Sequence, residues 1–204
     1  MCKLKSAIIL KDRIFIPEYD SHSEMLNELG ITDDYLGASK KFVRAELSPM
    51  DGDVFSPVDS WHFTVDQDIV PEWFSEDEYK PKMIEAVKEW AKTHIHIGVN
   101  GLKIESGKNH YIKDCKDVEI YGSATVKNIC GSATVKNICD SATVKNICGS
   151  ATVISSPCSK WRNAESLIIA DNATFKDNYG RIIYQAGDYS LISVESDKTI
   201  GEIK

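Results

Sequence analysis

Residues 122–153 read GSATVKNIC GSATVKNIC DSATVKNIC GSATV, and this stretch decides the fold. Three complete nine-residue units follow one another, and a fourth begins at Gly149. One substitution separates the copies, because Asp140 stands where the other units begin with glycine. A fixed short period is typical of a solenoid, in which each unit buries its apolar face only against its neighbours. The repeat therefore predicts a stacked architecture for this part of the chain.

The unit itself predicts a β-strand, because Ala, Thr and Val alternate and β-branched side chains suit a pleated strand. Gly-Ser, Asp-Ser and Lys-Asn supply residues for the corners of a coil. Strands stacked about 4.8 Å apart align equivalent residues into rows. The sequence is compatible with two units per turn of the coil and with another multiple. With two units per turn, Cys130 stacks on Cys148. The rows expected to face inward are Ala124, Ala133, Ala142 and Ala151; Val126, Val135, Val144 and Val153; and Ile129, Ile138 and Ile147.

The Gly-Ser-Ala-Thr-Val units look like the G-[ND]-A-x-V tracts of hexapeptide-type left-handed β-helices. The whole layout resembles uncharacterised phage and prophage proteins of gut bacteria, in which an N-terminal domain precedes a variable SATV tract. The stretches that carry this resemblance are residues 65–68 (VDQD), 71–74 (PEWF) and 85–90 (EAVKEW). The resemblance implies a phage or mobile-element setting, and it brings no known activity with it.

We predict an α+β N-terminal domain followed by a short β-solenoid of nonapeptide repeats with a β-rich C-terminal cap. The acidic α+β domain is expected over residues 1–114, the repeat tract over 115–159 and the cap over 160–204. Alternating residues around Gly180 and around residues 187–188 (GD) predict β-hairpins in the cap. A solenoid needs such ends, because an uncapped coil would stack indefinitely.

The N-terminal region predicts both strands and helices. The clearest helix covers residues 76–94, where acids occupy the first turn and apolar residues follow at helical spacing. A strand begins at Ile95, and residues 100–101 (NG) predict a hairpin after it. A shorter helix is expected over 22–30, and the other strands are expected within 5–16, 41–47 and 60–66.

Composition and cysteine content point to a cytosolic protein, and the resemblance to phage proteins implies that the cytoplasm is that of a bacterial host. The 204 residues are 42% hydrophobic and 27% charged, as in ordinary globular proteins. The first apolar run, residues 7–10, is too short for a signal peptide or a membrane helix. Three of the six cysteines belong to the copied repeat, so their number reflects duplication. We expect reduced thiols packed as small apolar groups.

Negative charge is concentrated in the N-terminal region. Residues 14–79 hold sixteen acids and three bases, a net charge of −13, whereas the whole chain carries −7. From Glu46 to Glu78 there are ten acids and no Lys or Arg. Such a field repels nucleic acid and anionic membranes, and it attracts basic protein surfaces. A solvated face that only keeps the protein soluble is the alternative.

Two patterns suggest metal ligands, and both are incomplete. His94 and His96 would point the same way in a strand, but the sequence places no third ligand. The acidic pairs at residues 51–53 (DGD) and 66–68 (DQD) lack the longer spacing and distal Glu of calcium loops. We therefore predict no metal site and no cofactor, and a metal-dependent enzyme using the two histidines is a minor alternative.

Enzymatic signatures are absent from the sequence. Acyltransferases built on β-helices use a histidine as general base, but all five histidines lie at or before His110, outside the repeat. There is no Walker loop, G-x-S-x-G, C-x-x-C or dinucleotide fingerprint. Lys127, Lys136 and Lys145, one in each unit, form either a basic row for an anion or a solubility device, and we favour the second.

These patterns favour a non-enzymatic binding protein. We expect a phage-borne inhibitor of a nucleic-acid-handling defence protein, such as a CRISPR effector or another nuclease, that blocks it or mimics nucleic acid. Its partner would be a basic protein surface, without direct contact to nucleic acid or membrane. The alternative is a structural, self-assembling virion-associated solenoid that forms a homo-oligomer. The expected partner-binding residues are Asp51, Asp53, Asp59, Asp66, Asp68, Glu72, Trp73, Glu76, Asp77 and Glu78.

Overall fold

The structure is a computed structural model that describes residues 5–32, 40–154, 168–176, 182–184, 191–194 and 200–203. The chain divides into two compact units, Met1–Thr93 and His94–Lys204. The first contains an antiparallel sheet and most of the helical residues, and the second contains the repeat.

The first unit is built on a four-stranded antiparallel sheet in the order β2-β1-β3-β4. Its strands are β1 (Lys5–Ile9), β2 (Ile14–Phe15), β3 (Val43–Ser48) and β4 (His62–Val65). Ser6 pairs with Glu46, which in turn pairs with Thr64. Directly paired residues share a face, so these three polar side chains form one row across the sheet.

The helix α1 (His22–Glu28) packs on the face that carries this row. Ser21 begins the helix, and its side chain accepts a hydrogen bond from the backbone N–H of Glu24. Ile8 lies two residues after Ser6 in β1, and it therefore points to the same face. The side chains of one buried cluster join helix and sheet: Ile8, Met25, Leu26 and Phe42.

The helix α2 (Glu76–His94) confirms the helix predicted over 76–94. Three consecutive acids occupy its first turn, at the positive end of the helix dipole. The ammonium group of Lys5 lies 5.0 Å from the centre of the Trp90 ring. Lys5 and its neighbour Ser6 point to opposite faces of the sheet, so α2 contacts the face opposite to the polar row.

The second unit contains a β-solenoid of about three turns over residues 95–153. Thr125 pairs in parallel with Thr143, its equivalent two units later, so two units of the repeat complete one turn. Each turn gives one strand to each of two sheets. One sheet holds β5 (Ile95–Ile97), β7 (His110–Lys113), β9 (Thr125–Cys130) and β11 (Thr143–Ile147), and the other holds β6 (Lys103–Ile104), β8 (Val118–Ile120), β10 (Thr134–Ile138) and β12 (Thr152–Ile154).

The solenoid begins before the repeat, at Ile95, within the span 1–114 that the sequence assigned to the first domain. Ile95 pairs in parallel with Tyr111, so β5 stacks on β7 although neither strand has the repeat sequence. The hairpin predicted at residues 100–101 is wrong, because β5 and β6 belong to different sheets. Gly101, at φ +68°, instead lies between the strands at a corner of the coil.

The predicted inward rows are confirmed, since every Ala, Val and Ile assigned to them is buried. Polar side chains on the outside stack in the same register. The Thr143 hydroxyl lies 3.1 Å from that of Thr125, and the Asn146 amide donates to the Asn128 side-chain oxygen at 2.9 Å. The three lysines do not form one row, because Lys136 lies in the other sheet.

Two parallel strands follow, β13 (Ile168–Ile169) on β11 and β14 (Thr174–Lys176) on β12. The last three strands then pair in antiparallel fashion: β15 (Ile182–Tyr184) with β14, β16 (Leu191–Val194) with β13, and β17 (Ile200–Ile203) with β16. The turn residues predicted for this region, Gly180 and 187–188, lie outside the described residues, as do Cys2 and Cys158. None of the described helices has the length and apolar character needed to cross a bilayer.

Candidate functional site

All nine carboxylates predicted to bind a partner are exposed. The tenth acid of the acidic stretch, Glu46, is only 4% exposed and points into the polar row of the first unit. The exposed acids therefore follow the prediction of a charged surface, whereas Glu46 requires a different explanation.

The structure separates these acids into two groups, one at each end of the β3–β4 pair. Ser48 pairs with His62 at one end, and the connection between these two residues carries Asp51, Asp53 and Asp59. We call these three residues the distal acids. At the opposite end the N–H of Asp66 donates to the Arg44 carbonyl, and the chain continues through residues 66–78, which we call the docking segment.

The docking segment is anchored beside the start of β3. The Gln67 side chain accepts from the Arg44 N–H at 2.8 Å and donates to the carbonyls of Phe42 and Ile69. The Trp73 indole N–H donates to the Lys40 carbonyl at 3.2 Å. These contacts hold an otherwise irregular loop in one position, so its exposed side chains are presented on a fixed backbone.

Two exposed apolar side chains lie between acids in this segment. Ile69 and Val70 are 58% and 41% exposed, and Asp68 and Glu72 flank them. Half-buried Trp73, in the same segment, belongs to an aromatic cluster in which its ring centre lies 5.6 Å from that of Tyr79 and 6.4 Å from that of Phe74. Exposed apolar residues flanked by acids are typical of a protein-binding surface.

Few of the exposed acids have a basic partner. Asp59 lies 2.7 Å from Lys88, and Glu78 lies 2.6 Å from Lys82. Hydrogen bonds to these carboxylates raise the pKa of both lysines. Within the described part of the chain, no ion pair involves four acids of the docking segment: Asp68, Glu72, Glu76 and Asp77.

The structure brings the predicted histidine pair together with a third histidine. The ring of His110 stacks on His94 at 5.0 Å and on His96 at 5.6 Å. His110 Nε2 lies 2.9 Å from the Ser106 carbonyl, which only accepts, so the Nε2–H donates. His110 Nδ1 then accepts from His96 Nε2 at 3.3 Å. The rings form a hydrogen-bonded stack rather than a set of ligands converging on one point.

This packing lowers the pKa of His96 to about 4, because burial and the neighbouring His110 and His94 all disfavour its charged form.

The cysteines of the repeat also meet across turns. A hydrogen bond with Cys148, together with burial, raises the pKa of the Cys130 thiol. Both cysteines are free thiols.

Among the described residues, one group of side chains can hold a metal ion, and Asp66 is its only member among the predicted site residues. Asp66, at the start of the docking segment, lies beside His22 and Glu46. One ligand atom from each residue lies within 4.8 Å of the others. The sequence signal for Glu46 was its place in β3 (VRAELS), where an acid stands among buried positions. Nothing in the sequence connected it with His22, which lies far earlier in the chain, at the start of α1.

Comparisons of the chain with protein-family models, with curated proteins and with solved structures give no match.

Proposed function

We propose that this chain is a non-enzymatic binding protein whose acidic docking segment binds a basic surface of a nucleic-acid-handling protein and blocks it. The observation that carries this proposal is the pair of exposed residues Ile69 and Val70, framed by the exposed acids Asp68 and Glu72. The apolar pair supplies contact area, and the acids supply attraction to lysine and arginine.

Charge supports the choice of partner. A protein surface that binds nucleic acid presents many lysines and arginines to phosphates. Carboxylates without an internal ion pair are free to replace those phosphates, whereas paired acids would first have to lose their lysines. Four acids of the docking segment have no ion pair among the described residues, and neither do Asp51 and Asp53. What favours residues 66–78 over the distal acids is therefore the exposed apolar pair Ile69 and Val70.

The biological setting completes the proposal. The resemblance of residues 65–68, 71–74 and 85–90 to phage and prophage proteins favours a phage-borne inhibitor that acts in the cytoplasm of the bacterial host. A CRISPR effector or another defence nuclease has the basic surface that the docking segment requires. The α+β domain carries the binding surface in this proposal, and the nonapeptide solenoid extends the scaffold.

The test uses the purified chain as bait in a bacterial lysate. One variant neutralises Asp68, Glu72, Glu76, Asp77 and Glu78 as Asn or Gln, and Asp66 is left unchanged. A matched control neutralises the three distal acids. We expect the first variant to lose the retained partner and the control to keep it. Circular dichroism and melting temperature establish that both variants are folded, since neutralising the first turn of α2 removes a favourable dipole interaction of about 0.3–1 kcal/mol per acid.

Equal retention of the partner by the wild type and the five-substitution variant would contradict the proposal. Loss of the partner in the control alone would place the binding surface at the opposite end of the β3–β4 pair. That outcome also contradicts the role given to the docking segment.

A second candidate function is self-assembly through the solenoid. The strand β5 is an edge strand of its sheet, and Ile97 and Val99 at its end are 53% and 39% exposed. An apolar strand edge is a template for pairing with another chain. If the protein is an assembly component, Ile97→Lys should reduce its oligomer size in light scattering, and a deletion of one nonapeptide should also change it. A monomeric wild type would eliminate this function.

A further inference from the structure

We propose that His22, Glu46 and Asp66 form a binding site for a divalent transition-metal ion. The three residues come from the start of α1, the middle of β3 and the residue that follows β4. One ligand atom from each lies within 4.8 Å of the other two. Ligands bound about 2.0–2.2 Å from a common ion lie about 3–4 Å apart, so only a small contraction completes the site.

The hydrogen bonding of His22 shows which of its ring nitrogens faces the proposed site. Its Nε2 atom lies 3.3 Å from the Ala45 carbonyl oxygen. A carbonyl only accepts, so Nε2 is the nitrogen that bears the hydrogen. In the neutral ring Nδ1 then has a lone pair, and this atom lies 3.4 Å from the Asp66 carboxylate. Two acceptors that face each other need a proton or a metal ion between them, and a bound metal ion satisfies both.

This arrangement is the one expected of a histidine ligand. Metal-bound histidines donate their second ring N–H to a carbonyl or carboxylate, which fixes the tautomer and the direction of the ring. The Ala45 carbonyl has that role here. His22 is only 5% exposed, so packing as well as hydrogen bonding holds its ring in place.

The surroundings of Glu46 provide an independent observation. Ser6 and Thr64 flank Glu46 in the polar row, and the hydroxyls of both are buried without a hydrogen-bond partner among the described residues. Ser6 is fully buried. Unsatisfied buried hydroxyls are uncommon because each one loses its hydrogen bonds to water. A carboxylate held by a metal ion, or a water molecule bound to that ion, gives both hydroxyls an acceptor.

The ligand set indicates the class of metal. One imidazole nitrogen and two carboxylates suit Zn²⁺, Mn²⁺ or Fe²⁺ better than Mg²⁺ or Ca²⁺, which prefer oxygen ligands alone. Three protein ligands leave at least one coordination position open. Asp66 has an exposed side chain, so the ion has an entry path from solvent on that side.

The test is calorimetric titration of the purified, chelator-treated full chain with Zn²⁺ and, separately, with Mn²⁺. We expect one ion per chain. Asp66→Asn should weaken metal binding by at least about 10–100-fold, because loss of even an outer-shell partner of a metal ligand costs that much affinity. The variant is expected to fold, because Asp66 is exposed. Asp68→Asn, two residues further along the same loop, is the matched control and should bind as the wild type does. His22→Gln should lose binding as Asp66→Asn does.

Absence of binding at about 1 mM of either ion, or unchanged affinity in Asp66→Asn, would overturn the proposal. Loss of binding in His96→Asn with full binding in Asp66→Asn would assign the ion to the histidine stack instead, and this outcome also overturns it. The lysate experiment above leaves Asp66 intact, so failure of the metal site and failure of the docking segment are separate results.

Discussion

The Oδ2 atom of Asp140 accepts a hydrogen bond from the backbone N–H of Gly122, 3.1 Å away and one turn of the solenoid earlier. Asp140 is the one residue that breaks the identity of the repeat, and it has a left-handed backbone with φ +59°. Asp114 accepts from Ser132, and Asp171 accepts from Gly149, in the same way. Aspartates at the corners of the coil thus bind the backbone of an adjacent turn.

Restoring the perfect repeat at this corner is therefore expected to weaken the solenoid. Asp140→Gly keeps the left-handed backbone but removes the acceptor of the Gly122 N–H. A typical intramolecular hydrogen bond contributes about 0.5–1.5 kcal/mol, so we expect a loss of about 1 kcal/mol in urea unfolding. Asp140→Asn tolerates the same backbone and retains an acceptor oxygen, and it should lose less. A more stable Asp140→Gly would show that relief of the left-handed backbone strain outweighs the hydrogen bond.

Adding a methyl group at the neighbouring corner is expected to destabilise the fold more strongly. A Cβ on Gly131 would lie 2.3 Å from the Asp114 carboxylate, and Gly131 has φ +65°. The carboxylate would have to move and lose its hydrogen bonds from the N–H and hydroxyl of Ser132. Gly101→Ala is the matched control, because Gly101 has φ +68° and a Cβ added there would meet nothing within 4 Å. Backbone strain costs about 1–2 kcal/mol in both variants, and the steric overlap should make Gly131→Ala the less stable. Equal unfolding free energies in Gly131→Ala and Gly101→Ala would show that the steric overlap at Gly131 costs no stability.

The histidine stack predicts that stability falls in mild acid. The folded-state pKa of His96 is about 4, below the value of about 6.5 for an unfolded chain. The unfolded state therefore takes up protons first as pH falls, and the contribution of His96 is present above pH 6.5 and is lost progressively between pH 6.5 and pH 4. After a discount for partial exposure, we expect a loss on the order of 1–2 kcal/mol.

Thermal unfolding between pH 7.5 and pH 4 measures this effect. His96→Gln should flatten the dependence on pH. His62→Gln is the control, because His62 is exposed and lies outside the stack, and it should retain the wild-type profile. A profile that is the same in the wild type and in His96→Gln would show that the stack is not the source of the acid sensitivity.

The exposed apolar pair of the docking segment is expected to affect binding without affecting stability. Ile69→Ser together with Val70→Ser removes contact area at the centre of the proposed surface, and we expect at least a tenfold loss of partner affinity, since hot-spot truncations cost about 2 kcal/mol or more. Met50→Ser is the control, because Met50 is 60% exposed at the end that carries the distal acids. Similar affinities in all three proteins, measured by interferometry, would place the interface elsewhere.

The inward rows of the solenoid could be predicted because a short, fixed period leaves few ways to bury Ala, Val and Ile. The strands β5 to β7 could not, since they stack by backbone pairing and share no sequence period, whereas β8 lies within the tract predicted over 115–159. Residues 100–101 show why local signals mislead. A left-handed glycine suits a hairpin and a solenoid corner equally, and which strands pair is decided by distant parts of the chain.

The candidate sites were also predictable from the sequence only in part. Exposure of the acids followed from their charge, but their separation into two groups depends on the antiparallel register of β3 and β4. The group of His22, Glu46 and Asp66 depends on the same register and on the docking of α1. Residues so far apart in the chain carry no periodic signal that would connect them.

The central claim is that the docking segment occupies a surface that otherwise binds nucleic acid, and competition tests it most directly. The wild-type chain is used as bait in a bacterial lysate, and duplex DNA or RNA is then added at constant salt. We expect release of a nucleic-acid-handling protein, and we expect retention to weaken between about 50 mM and about 200 mM salt, as for other charge-dependent complexes. A partner that stays bound in the presence of excess nucleic acid, or a bait that retains only itself, would contradict the account.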